Sequence, residues 1–154
     1  MKNWAMLVIL VLGLYLCAFA QEKKISVGLG AEWNMNSPSF FAVGAPLNLI
    51  FNLPGSTALG LSFTGSMNFA GIYVLEPAFL IRRYFSRDIH SGFFLQFDVG
   101  ASIVMEETGI TPMINSGLGV GYRLPLGSAF YVEPYGRLGY PFAFGLGAMA
   151  GIRF

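Results

Sequence analysis

From Ile25 to the end, large apolar residues alternate with small or polar ones, a period of two that a strand with unlike faces requires and a helix does not produce. Ile25, Val27, Leu29, Ala31, Trp33 and Met35 take one side, and Ser26, Gly28, Gly30, Glu32 and Asn34 the other. Residues 41–53 repeat the pattern before Pro54-Gly55-Ser56, a turn sequence. The same periodicity predicts strands over about 57–67, 72–85, 93–103, 114–124, 130–138 and 144–154, joined by short connections. Eight such segments predict an all-β fold, an eight-stranded antiparallel up-and-down barrel. Strands of about 9 to 11 residues suffice to cross a bilayer when tilted.

The two faces carry different chemistry. Glu32, Glu76, Asp98 and Glu133, with Arg82, Arg123, Arg137 and Arg153, all fall on the less apolar face, while the other face holds Arg83 alone. A water-soluble barrel of the lipocalin type shows the same period with its apolar face inward. Only 11% of this chain is charged, however, and the charged face is rich in glycine, whereas a soluble surface wants roughly 25 to 35% charged residues. The expectation is therefore a transmembrane barrel with its apolar face toward lipid. Its lumen would hold four acidic and four basic side chains, a balance that lets buried ions pair. Aromatic residues fall near the strand ends, with Trp33, Phe41, Tyr73, Tyr140 and Phe144 toward one rim and Phe51, Phe85, Phe93, Tyr122, Phe130 and Phe154 toward the other, as two interfacial girdles would.

The head reads separately. Lys2 precedes an apolar run over 5–16, and Ala18-Phe19-Ala20 offers small residues for cleavage, so 1–20 is expected to be a signal peptide and 21–154 the barrel domain. The run is shorter than the roughly 20 residues of a spanning helix, and Gln21-Glu22-Lys23-Lys24 follows it directly. Cys17 raises the alternative of a lipid-modified cysteine, against which Leu16 stands, since that pattern places Gly, Ala or Ser there. Beyond Ala20 the chain has no cysteine, which removes disulfides and thiolate chemistry. Its two Lys and six Arg there balance eight acidic residues, which leaves no basic field for nucleic acid.

The chain ends Gly147-Ala148-Met149-Ala150-Gly151-Ile152-Arg153-Phe154. This end resembles the terminal-strand signal of small eight-stranded outer-membrane barrels, such as the OmpA membrane domain and the OmpX and OmpW families. The architectural resemblance covers about 25–154. It implies residence in a bacterial-type outer membrane, contact with its lipid, and recognition by the barrel-assembly machinery through Ile152 and Phe154. Met149 departs from the pattern, which usually has glycine there. The OmpW likeness further implies passage or binding of a small hydrophobic molecule, for which a continuous cavity past Tyr131 and Tyr135 is needed.

Within the lumen face, Glu76 and Arg82, and likewise Glu133 and Arg137, are separated by even numbers and so share a strand face. They admit two roles: a gate or polar-ligand site, or a static ion-pair plug filling a narrow barrel. The many lumen glycines admit either a cavity or tight curvature. Pro77 and Pro134 lack a ladder donor inside their strands, so bulges that shift the register are expected there. His90, beside Asp88 in a polar turn, reads as a solvated histidine. No Ser/His/Asp set, metal-spaced cluster or phosphate loop stands out, so neither an enzyme nor a cofactor is expected. The outer connections are short, which offers an adhesin little recognition surface.

Overall fold

The computed structural model describes residues 25–36, 40–86 and 89–154. The expected signal peptide lies outside the described residues. Eight strands run β1(Ile25–Asn36), β2(Phe40–Asn52), β3(Thr57–Asn68), β4(Tyr73–Tyr84), β5(Gly92–Glu106), β6(Gly109–Leu126), β7(Phe130–Tyr140) and β8(Phe144–Arg153). Each pairs antiparallel with the next, and β8 closes on β1. All eight expected strands are present in the expected order.

Followed once around the ladders, the register leads from Ile25 through Phe51, Leu59, Ile81, Phe97, Leu118, Leu138 and Phe144 to Met35, ten residues further along β1. That stagger is the shear that closes a tilted barrel. The β2–β3, β4–β5 and β6–β7 connections lie at the same end as Ile25 and Arg153, called the near mouth below; the other end is the far mouth.

The prolines act differently from expectation. The β4–β5 pairing passes from Leu75↔Ile103 to Ala78↔Gly100, and the β6–β7 pairing from Gly121↔Tyr135 to Leu124↔Val132, with no residue gained or lost. Pro77 and Pro134 therefore interrupt one ladder locally without a bulge, while the ladders on their other sides, Phe63↔Pro77 and Pro134↔Ala148, stay continuous. One missing N–H removes one rung, and seven other strands hold the register. Inward and outward positions thus keep their parity along the whole of both strands.

The fold is apolar outside and polar inside. Leu29, Leu61, Phe79, Ile81, Leu118, Val120 and Leu138 are exposed on the outer wall, whereas Glu32, Glu76, Arg82, Asp98, Arg123, Glu133, Arg137 and Arg153 are buried within. Arg83, the one charge at an outward strand position, is held at the near end by donating from Nη1 to Thr57 Oγ1 at 2.8 Å. At the rims Trp33 stacks on Phe41 with centroids 5.1 Å apart, and Phe93 meets Tyr122 edge-on at 4.8 Å.

Candidate functional site: the ion-paired lumen

All eight charged residues expected on the lumen face point into it. The residues that share a strand face are not the ones that pair. Glu76 and Arg82 share a strand, as do Glu133 and Arg137, yet each acid pairs with the arginine of the other strand. Arg82 Nη1 donates to Glu133 Oε1 at 2.8 Å, and Arg137 Nη2 donates to Glu76 Oε2 at 2.8 Å. The reason is distance: six or four residues along a strand span about 20 or 13 Å, whereas the space across a narrow lumen is within reach of an arginine.

Two layers result. Toward the near mouth, Glu133 Oε1 also accepts from Arg123 Nε at 2.5 Å, so one carboxylate serves two guanidinium groups. Toward the far mouth the ratio inverts, since Arg137 serves both Glu76 and Glu32, the latter 2.7 Å from its Nη2. Glu32 also accepts from the Tyr135 hydroxyl at 2.7 Å.

Gln96 joins the layers. Its Oε1 accepts from Arg82 Nη2 at 2.6 Å, and its Nε2 donates to Asp98 Oδ1 at 2.5 Å. Asp98 is thus tied to an amide and not, as expected, to an arginine of the lumen set. Arg153 lies at the near mouth and donates to the carbonyls of Gly127, Ser128 and His90.

Rings complete the filling. Arg82 lies 3.9 Å from the Phe94 ring centroid, Arg123 4.2 Å from that of Tyr131, and Arg137 3.8 Å from that of Phe142. These contacts add cation–π attraction in a place where water is scarce. The glycines make room for them: a Cβ on Gly151 would overlap the Tyr131 ring, and one on Gly121 the Phe94 ring. Toward the near mouth, Ile50, Ala58, Leu80, Tyr84 and Phe94 form an apolar cluster. Ile89 and Tyr135 pack against it from the β4–β5 connection and β7. Phe142, from the β7–β8 connection, is buried at the far mouth.

Sequence reading left out Gln96, Tyr84, Tyr131 and Phe94 as partners, although each occupies an inward position by parity alone. Phe142 had no such signal, because it lies between strands. His90 is partly buried in the β4–β5 connection and not fully solvated. Among the described residues, no three His, Cys, Asp or Glu side chains gather as a metal site would require.

Comparison with solved structures returns barrels of this kind. The chain superposes on the crystal structure of the N-terminal β-barrel domain of Pseudomonas aeruginosa OprF with a TM-score of 0.60 at 14% identity, over 84% of this chain and 97% of that one. Neisserial surface protein A gives 0.61 at 10% identity, over 84% and 94%. The chain has their eight-stranded barrel fold. A designed transmembrane β-barrel gives 0.53 at 12% identity, over the same shares of the two chains. No family model and no curated protein matches the sequence.

Proposed function

We propose that the protein is a small integral outer-membrane barrel with a structural role in the envelope, whose lumen is a packed, charge-paired core. The observation that carries this reading is the inversion of polarity. Large apolar side chains cover the outer wall while four arginines and four carboxylates are buried within, an arrangement that is stable with lipid outside and costly with water there. Likeness to solved outer-membrane barrels supports it.

On this reading 1–20 directs export and is removed after Ala20. The assembly machinery then reads the last strand, where Ile152 and Phe154 point outward and are exposed. Met149, the departure from the usual terminal pattern, points inward and is buried against Gly28 and Gly30, so the outward row read by the machinery is left intact.

A pore or a binding barrel for a small hydrophobic molecule needs a path past Tyr131 and Tyr135. Tyr131 is 1% exposed, and the Tyr135 hydroxyl is committed to Glu32. Planar-bilayer recording of the protein and of Glu133→Gln tests the choice. The closed reading expects no stable conductance from correctly folded barrel in either form. Steady channels whose conductance changes with Glu133→Gln would establish a pore instead, and failure to insert at all would remove the membrane assignment.

A further inference from the structure

We propose that Arg83, with Thr57 beside it, is a docking point on the outer wall for the phosphate of one membrane phospholipid in the leaflet at the near mouth. The proposal rests on the reading of that wall as lipid-facing.

Arg83 is the one charge at an outward strand position, and it is exposed. Its Nη1 donates to Thr57 Oγ1 at 2.8 Å, the only side-chain acceptor it meets among the described residues. The acidic residues that the structure describes are elsewhere. Glu32, Glu76, Asp98 and Glu133 are buried in the lumen, and Glu106 and Glu107 stand at the far end, on the β5–β6 turn. Among the described residues, therefore, no carboxylate balances this guanidinium, which stays charged at any pH a protein survives.

The surroundings decide what balances it. Arg83 pairs with Thr57 on one side and Leu95 on the other. The next outward row toward the middle of the wall is Leu59, Ile81, Phe97 and Leu118, all exposed. Toward the rim, the next outward residue of the chain is Phe85, 72% exposed, whose N–H donates to the carbonyl of Phe93. The charge thus lies one outward position inside the aromatic girdle, roughly 7 Å along the strand from Phe85. An arginine at that level lays its stem on apolar surface and keeps its head among the polar groups of the interface. Whatever seats here needs an anionic head and an apolar body. A phospholipid has both, and its phosphate oxygens suit the planar guanidinium fork. A free phosphate ion has no body to lie on Ile81, Phe97 and Leu118. The Thr57 hydroxyl, which accepts from Arg83, keeps its own proton to donate to the same phosphate.

Native mass spectrometry of the barrel refolded in detergent and titrated with dioleoyl phosphatidylglycerol tests this. One lipid is expected to stay bound per barrel, and Arg83→Gln to weaken its retention about fivefold, the effect of one basic side chain at a lipid surface. Thr57→Val is expected to weaken it less. Dioleoylglycerol, with the same chains and no phosphate, is expected to bind wild type and Arg83→Gln alike, no more tightly than the variant holds the phospholipid. Excess sodium phosphate is expected to leave the bound lipid in place. Equal retention of the phospholipid by wild type and Arg83→Gln, or of the two lipids by wild type, would overturn the proposal. Displacement by sodium phosphate would overturn it in favour of a free-anion site. Insertion into vesicles is scored alongside. A barrel that inserts but holds the lipid regardless of Arg83 loses this proposal alone, whereas one that fails to insert loses the membrane reading and this proposal together. If Arg83→Gln does not fold, the comparison of the two lipids on wild type decides it.

Discussion

Glu133 is the residue on which the near layer turns, since Arg82 and Arg123 both rest on it and all three are almost wholly buried. Removing its charge strands two guanidinium groups, so Glu133→Gln is expected to lower unfolding stability by about 3 to 5 kcal/mol, the range for breaking a buried pair from one side. Replacing all three together is a different matter. Arg82→Met/Arg123→Met/Glu133→Leu removes every charge that the lumen must compensate there, and the expected cost is near zero or a gain. Equilibrium unfolding in micelles compares the two, and a triple variant as weak as Glu133→Gln would show that these ions do more than fill space. At this scale the sequence was half legible. Parity put all eight charges inside, but pairing depends on which side chains face one another across the lumen. That is set by the shear of the closed sheet, which no single strand encodes.

Elements were more legible than residues, because a two-residue period is a property of each strand alone, and the turns at Pro54-Gly55 and Leu126-Gly127 interrupt it clearly. The height of the wall was not. β6 begins at Gly109 and pairs with β5 from there to Arg123, but β7 reaches it only from Ser116, where Pro141 follows closely on the end of β7. Residues 109–115 therefore rise beside no second neighbour for about 20 Å along the strand. An open edge of that length invites pairing with another chain. Pro112 sits in its middle. Its β5 rung, Ile103↔Pro112, is in place, so the absent donor faces the open side. Pro112→Thr is expected to restore that donor and to raise self-association, read as a shift to higher mass in light scattering of the detergent-solubilised barrel. Unchanged monomer would mean that the edge is protected by something other than the proline.

At the scale of the whole molecule the question is what the outer wall touches. Alternation alone left both orientations open; the scarcity of charge closed one of them, and the burial of the ions agrees with that choice. A direct test lies in Trp33. It is 43% exposed, stacked on Phe41, and placed toward the far rim by its pairing with Val43 and Leu146. The chain has 2 tryptophans, and the proposed removal of 1–20 takes Trp4 with it, so the barrel refolded from Gln21 onward has Trp33 as its sole tryptophan. In vesicles of phospholipid brominated on the acyl chain, a wall that meets lipid places this ring beside the bromines, and its rim position puts it at the level of the interface and not of the bilayer centre. Fluorescence is therefore expected to be quenched strongly by bromines near the glycerol and weakly by those near the chain ends. Equal quenching at every depth would move the girdle away from the interface. No quenching by any brominated lipid would mean that the apolar wall faces something else, and the inverted polarity of the barrel would then need a protein partner to cover it.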